Sequence, residues 1–431
     1  MRVRIRGAGP VSGAIEIPGD KSIGHRALMM AALASGTTRI ERLGPGQDLR
    51  SSVTCLRALG VHVHDEGERV EVDSPGRERW GSGERRFDAG NSGTTARFLM
   101  GMLAPCLGLS ASITGDGSLS RRPMARVARP LSSMGARIQL SENATLPARI
   151  EGEPLVGRRI RLPVPSAQVK TALLFAGLGA EGETWIENGA GRDHTERMLP
   201  LFGASIRRDA QGSIGVTRTS LTSPVRVLRI PGDPSSAMFF AVAAVITRGR
   251  VRMESVCLNP TRTAAFDALG RMGAEVRRSN VREEVDLSGD LEVEGELSST
   301  LPIELCANDL IDEVPVLAVA AACRPHGATT RFLDGAELRV KESDRLRATV
   351  DGLRAMGARV DEQGDSFCVH GGELRGATID SSSDHRIAMA FSVAALGAKE
   401  TTVIEGAEWA AVSLPGFHEM LARLGAEVEQ A

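Results

Sequence analysis

One phrase recurs six times along the chain: the end of an amphipathic helix, a glycine, and a short alternating stretch. The copies read LRALGVHV, LSSMGARI, LPLFGASI, LGRMGAEV, LRAMGARV and LARLGAEV, with glycines at Gly60, Gly135, Gly203, Gly273, Gly357 and Gly425. Their spacings, by subtraction, are 75, 68, 70, 84 and 68 residues. Each glycine suits the position just past a helix, where a positive φ is needed, and each following triplet alternates as a strand does. Recurrence at this interval implies a repeated α/β module of roughly 70 residues, long enough for two helices and several strands.

A chain of 431 residues exceeds what one core normally supports, so six modules divide naturally into three and three. The break falls near Val225 to Asp233 (VRVLRIPGD), where a strand leads into a Pro-Gly-Asp turn and the helical run Ser235 to Ile246. Two pseudo-threefold lobes follow, with a cleft between them suited to a small molecule.

Composition narrows what that molecule is. Fifty-two Lys and Arg against 54 Asp and Glu leave a net charge of −2, which argues against a polyanion-coating surface. Aromatic residues at 3%, with no Tyr, disfavour a stacking platform for single-stranded nucleic acid. The six cysteines are scattered without C-x-x-C spacing, as in a reduced cytoplasmic protein. The basic start MRVRIRGAGP leads into no apolar run, and Phe98 to Leu109 and Ala237 to Ile246 are too short to span a bilayer. His62 and His64 form the one close histidine pair and lack a matching third ligand, so no metal is expected. No nucleophile elbow, Walker loop or dinucleotide fingerprint is present.

The charge that matters stands at turn-to-helix junctions. In PGDKSIGHRALMMAALASG, Pro18 to Gly36, Asp20 or Ser22 suits an N-cap, but Lys21 and Arg26 oppose the helix dipole unless an anion sits there. Backbone N–H groups, a hydroxyl and two cations at one point describe a phosphate or carboxylate site. The second turn, PGDPSSAMFFAVAA, repeats this scaffold with Pro234 and Ser235 where the first has Lys21 and Ser22. DAGNSGTTARFLM, Asp88 to Met100, offers a second cradle with Arg97 one turn in, and GDGSLSRRPMAR, Gly115 to Arg126, is a loop with three arginines. Ser166 to Lys170 repeats the hydroxyl-plus-Lys placement, and Arg192 to Glu196 precedes a helix for which Asp193 or Thr195 is a plausible cap. Later in the chain, Asp312-Glu313-Val314-Pro315, Lys341-Glu342-Ser343-Asp344-Arg345 and Asp384-His385-Arg386 each open a helix. Lys21, Arg26, Arg97, Arg122, Lys341, Arg345 and Arg386 would then aim seven cations inward with few carboxylates, which suits substrates with several negative charges.

The phrases GDKSIGHR, GNSGTTAR, RRPM, SAQVK, RDHTE, NPTR, RVKESDRLR and DHRIAMAFS, in this order from Pro18 to Leu414, resemble those of the 3-phosphoshikimate 1-carboxyvinyltransferase (EPSP synthase) family, in its class II bacterial form. The resemblance implies an α/β fold of six βαβαββ-type units in two lobes, an inside-out α/β barrel. It implies lobes of residues 18–232 and of 233–431 with residues 1–17, hinged near 14–20 and 225–235. The implied activity transfers the enolpyruvyl group of phosphoenolpyruvate to the 5-hydroxyl of shikimate 3-phosphate through a tetrahedral adduct, with no cofactor, in a cytoplasmic monomer that tolerates the inhibitor glyphosate.

By the same resemblance, shikimate 3-phosphate contacts Lys21, Ser22, Arg26, Ser166, Ala167, Gln168, Arg192, Asp312 and Lys341. Phosphoenolpyruvate contacts Lys21, Asn91, Gly93, Thr94, Arg122, Gln168, Arg345 and Arg386. The catalytic group is Lys21, Asp312, Lys341, Glu342 and His385, with Asp312 accepting the hydroxyl proton and Glu342 protonating the methylene carbon. Gly191, Glu337 and Val412 depart from residues common in the family, namely Ser, Asn and Lys. The related UDP-N-acetylglucosamine enolpyruvyl transferases use a Cys in the loop equivalent to Gly115 to Arg122, and no Cys lies there.

Overall fold

The computed structural model describes residues 1–7 and 9–430. Among them, 24 strands form six four-stranded sheets, and every sheet has the same plan. One edge is a parallel pair and the other two pairings are antiparallel, as in Arg159–Arg161 beside Glu183–Glu187, then Ile214–Thr217, then Arg207–Arg208. No sheet closes on itself among the described residues; all six are open and mixed.

The chain packs as two units. Gly19–Ile230 with Glu284–Asp286 form one, the N-terminal unit; Met1–Pro18, Pro231–Glu283 and Leu287–Ala431 form the other, the C-terminal unit. The strand Arg2–Arg6, whose Val3 and Ile5 alternate inward, lies between Thr402–Glu405 and Glu427–Gln430 and so completes the last sheet of the chain. The short strand Leu228–Arg229 likewise completes the first sheet of the N-terminal unit, parallel to Ser35–Glu41.

Each repeat contributes two kinds of helix, and the sequence says which is which. Helices that are apolar nearly all round are buried: Lys21–Leu33, Gly93–Leu103 and Ala167–Gly177 in the N-terminal unit, and Pro234–Ile246, Val314–Ala322 and His385–Leu396 in the C-terminal unit. Phe98 and Phe175 meet edge to face at 5.6 Å in the first set, and Phe239 and Phe240 meet Phe417 at 5.9 and 5.7 Å in the second. Truncating such a ring costs about 3–5 kcal/mol.

The other kind is amphipathic and ends at the recurrent glycine, as in Gln47–Leu59 before Gly60 and Arg345–Ala355 followed by Met356 and Gly357. All six recurrent glycines have positive φ, of 93°, 107°, 87°, 117°, 83° and 104° in chain order. A side chain with a Cβ is strained in that region, which is why the same residue returns at each helix end. Sites are set by the helix starts: charged phrases open several of the buried helices, and Lys341–Arg345 opens Arg345–Ala355 of the other kind.

Candidate functional site

In the N-terminal unit, Asp20 is the N-cap of helix Lys21–Leu33, accepting the Ile23 amide at 2.8 Å. Gly19 just before it admits no side chain, because a Cβ there would lie 1.8 Å from the Arg42 carbonyl oxygen. The turn therefore delivers Lys21 and Ser22 from a fixed backbone. The Lys21 ammonium meets Asp48 at 2.9 Å, with the side chains 24% and 13% exposed. Arg26 is buried and seated on neutral oxygens: Nε donates to Thr195 Oγ1 at 2.7 Å, Nη1 to the Ser22 carbonyl at 2.8 Å and Nη2 to Thr171 Oγ1 at 3.0 Å. Its guanidinium also lies 5.2 Å from the centre of the Phe98 ring. Arg192 reaches Ser22 Oγ at 3.0 Å from 170 residues away.

Two further helix starts join this one. Ser92 caps Gly93–Leu103 and Ser166 caps Ala167–Gly177. Gln168 ties the two together, with Nε2 donating to Thr94 Oγ1 at 2.8 Å and Oε1 accepting from Arg97 Nη1 at 2.5 Å. Arg122 donates to Asn91 Oδ1 at 3.0 Å, and Asn91 donates to Asp116 Oδ2 at 2.6 Å. Lys21, Ser22, Arg26 and Arg192 thus meet in one group, while Asn91, Thr94, Arg122 and Gln168 lie in amide and hydroxyl networks beside Gly93 and Ala167.

Beneath these starts runs a buried polar chain. His25 Nδ1 meets Ser52 Oγ at 2.8 Å, Ser52 meets Thr95 Oγ1 at 2.8 Å, and Thr95 donates to Ser92 Oγ at 2.7 Å. Burial lowers the His25 pKa to about 3, so the imidazole is neutral.

Lys170 is a correction to the sequence reading. Its ammonium is 1% exposed and bonds Glu196 at 2.7 Å, so this lysine neutralises a core carboxylate instead of presenting charge at the helix start. Two residues outside the expected site also emerge: Asp48, which had no signal of its own and is placed on Lys21 by helix Gln47–Leu59, and Thr195, read from sequence only as a helix cap and found seated under Arg26. His62 and His64 are both exposed, and His64 is bonded to Glu66 at 3.0 Å.

In the C-terminal unit the centre is Arg345, the first residue of helix Arg345–Ala355, with 1% of its side chain exposed. Nε donates to Asp384 Oδ2 at 2.9 Å, Nη2 to Glu342 Oε2 at 2.5 Å, and Nη1 to Asp312 Oδ1 at 3.3 Å. Burial alone would lower the guanidinium pKa, but Asp384, Glu342 and Asp312 outweigh it and raise it above the usual arginine value. Asp384 is the N-cap of His385–Leu396, accepting the Arg386 amide at 2.8 Å and the Ser343 hydroxyl at 3.1 Å. Lys341 lies 3.6 Å from Glu337, each side chain 26% exposed. Burial lowers the Lys341 pKa against the pull of Asp312 and Glu337. His385 is buried with Nδ1 4.0 Å from Asp384.

The expectation of cations with few carboxylates is corrected here. Lys341, Arg345 and Arg386 stand among Asp312, Glu337, Glu342 and Asp384, three cations to four carboxylates, because Glu337 and Asp384 were not counted. Arg386 differs from its neighbours: it is 3% exposed, lies 5.7 Å over the Phe239 ring, and its Nε and Nη1 have no hydrogen-bond partner among the described residues. At Gly191 φ is 95° with open space around it, so a Ser there would be strained by the backbone and not by its neighbours.

Comparison with known proteins agrees along the whole length. The family pattern of EPSP synthase (3-phosphoshikimate 1-carboxyvinyltransferase) matches residues 5–421. A 3-phosphoshikimate 1-carboxyvinyltransferase from Synechococcus sp. (strain RCC307) is 45% identical over 437 residues, covering 98% of this chain and 99% of the relative. One from Desulfitobacterium hafniense (strain DSM 10664 / DCB-2) is 43% identical, covering 97% of each. The structure of EPSP synthase from Acinetobacter baumannii superposes with a TM-score of 0.86 at 38% identity, covering all of both chains.

Proposed function

This chain belongs to the EPSP synthase family, the 3-phosphoshikimate 1-carboxyvinyltransferases, and from that premise we propose how its side chains share the reaction. It is an enzyme of enolpyruvyl transfer in the shikimate pathway, with shikimate 3-phosphate and phosphoenolpyruvate as its small-molecule substrates. Shikimate 3-phosphate is held by Lys21, Ser22, Arg26, Ser166, Ala167, Gln168 and Arg192, with Asp312 and Lys341 toward its hydroxyls. Phosphoenolpyruvate is held by Lys21, Asn91, Gly93, Thr94, Arg122, Gln168, Arg345 and Arg386.

The observation that carries the phosphoenolpyruvate assignment is Arg386. A buried guanidinium with two N–H groups unsatisfied is unfavourable by itself, and an oxyanion that accepts from both removes the penalty. The seat of Arg26 supports the other assignment, since the Thr195 and Thr171 hydroxyls and the Ser22 carbonyl fix the direction of its buried guanidinium.

In the addition step, the 5-hydroxyl oxygen of shikimate 3-phosphate attacks C2 of phosphoenolpyruvate. Asp312 takes the hydroxyl proton while Glu342 gives a proton to the methylene carbon, forming the tetrahedral adduct. In the elimination, the C2–O bond to phosphate breaks, Glu342 takes a proton back from the new methyl group, and phosphate leaves with the proton that Asp312 held. Lys21, Lys341 and the arginines stabilise the anionic oxygens throughout, and His385 lies beside Asp384 to hold the same helix start. No cofactor enters this scheme.

Glyphosate tolerance is part of this reading. Gly93 keeps the small residue at the position where the family is sensitive to the inhibitor, so we assign tolerance to the residues around it and not to Gly93 itself. The test of function is phosphate release in the purified protein: release that requires both substrates, with the enol ether identified by mass, is expected. Phosphate release from phosphoenolpyruvate alone, or none at all, would refute it.

A further inference from the structure

The guanidinium of Arg345 has two edges with different fates. Its inner edge, Nε and Nη2, faces Asp384 at 2.9 and 3.4 Å. Asp384 is 0% exposed and is pinned further by the Arg386 amide and the Ser343 hydroxyl, so this edge is permanent. The outer edge, Nη1 and Nη2, is occupied by Asp312 and Glu342, whose side chains are 25% and 20% exposed. The two carboxylates assigned to proton transfer therefore fill the fork that an incoming oxyanion needs.

We propose that this fork is an exchange site: the anionic group of phosphoenolpyruvate displaces Glu342 and Asp312 from Arg345, and Glu342 takes up a proton as it lets go. The proposal rests on the reading of the chain as a carboxyvinyl transferase. Its reason is chemical. A carboxylate 2.5 Å from a guanidinium is held ionised, and an ionised carboxylate cannot donate the proton that the methylene carbon requires. Once the substrate occupies the outer fork, the cation that stabilised the Glu342 anion is shared with another anion, and protonation from bulk water becomes favourable.

The balance is simple: a carboxylate and one solvent proton give a carboxylic acid, with no other bond made or broken. The remaining charged groups fix the sign. Lys341, paired with Glu337 at 3.6 Å, favours the anion of Glu342 before and after exchange. Asp384 stays on the inner edge, Asp312 is displaced together with Glu342 and adds a negative neighbour, and Arg386 and His385 lie on the helix that Asp384 caps. Acid is thus made when phosphoenolpyruvate is in place, and the empty enzyme carries no proton to lose.

The test is calorimetric titration of phosphoenolpyruvate at pH 7 in buffers of different ionisation heat, with the 5-deoxy analogue of shikimate 3-phosphate present so that no transfer occurs. The parent is expected to take up close to one proton more per phosphoenolpyruvate bound than Glu342→Gln, since any protonation of the substrate phosphate is common to both. Equal proton counts in the two proteins would overturn the exchange. So would a crystal structure of the parent with phosphoenolpyruvate bound in which Glu342 still holds Arg345 Nη2, a result that does not depend on any variant folding. Failure to bind phosphoenolpyruvate at all would overturn the functional reading itself.

Discussion

Asp384 accepts the Nε hydrogen of Arg345 at 2.9 Å, with side chains 0% and 1% exposed, so each ion is the other's substitute for water. Removing one charge of such a pair leaves the second buried and uncompensated, which costs about 3–5 kcal/mol. Asp384→Asn is therefore expected to lower the unfolding free energy by that order, and to loosen the helix start at His385 as well, because the same carboxylate accepts the Arg386 amide. Chemical denaturation of both proteins checks it. A loss below about 1 kcal/mol, the scale of an exposed pair, would show that Glu342 and Asp312 alone suffice for Arg345.

Packing and site meet at Gly101. It sits in the buried helix Gly93–Leu103 where a Cβ would lie 2.1 Å from the Ala172 carbonyl oxygen of helix Ala167–Gly177. Backbone does not yield as a side-chain tip does, so Gly101→Ala must push the two helices apart. Overpacking of this kind costs about 1–3 kcal/mol. The same shift separates Thr94 from Gln168, whose bond is 2.8 Å. We expect a lower melting temperature together with a raised KM for phosphoenolpyruvate. A variant with unchanged KM would show that the helix starts do not move with the helix bodies.

How far this was readable beforehand depends on what each residue answers to. The recurrent glycines were legible because their reason is local: positive φ just past a helix admits little else, and the six sites obey it. Lys21 and Arg345 were legible for a related reason, since a cation at a helix N-terminus demands an anion. Which anion was not legible. Asp48 meets Lys21 from 27 residues away, and Asp384 meets Arg345 from 39, and a dipole argument is blind to side chains brought in by topology. Lys170 shows the opposite error: its position matched Lys21, but Glu196 lay within the core to claim it.

His25 supplies a pH signature of stability. Its folded pKa is lowered to about 3 by burial, while in the unfolded chain it returns to the ordinary imidazole value of 6.5. Between those values the unfolded state binds a proton that the folded state refuses, so stability falls as pH drops through this window and is unaffected above it. The shift corresponds to roughly 5 kcal/mol at its limit. His25→Gln is expected to make the unfolding free energy less steep between pH 6.5 and pH 4, measured by denaturant titration at each pH. An unaltered slope would place the acid sensitivity elsewhere, at His194 or His418, whose pKa values burial also lowers.

Glu342 decides between an electrostatic and a chemical role. It stands three residues before the helical residue Arg345 and pairs with it, an arrangement that an ordinary surface carboxylate also adopts. If pairing were its whole purpose, Glu342→Gln would cost about 0.3–1 kcal/mol of stability and leave turnover nearly intact. If it moves a proton to and from the methylene carbon, the same change should cut kcat by about 10²–10⁴ while both substrates still bind, since an amide keeps the shape but cannot supply the proton. Deuterium from solvent should then enter the product methylene in the parent and not in the variant. Exchange at the parental rate, or kcat within a few-fold of the parent, would sink the assignment and leave Lys21 or His385 as the acid.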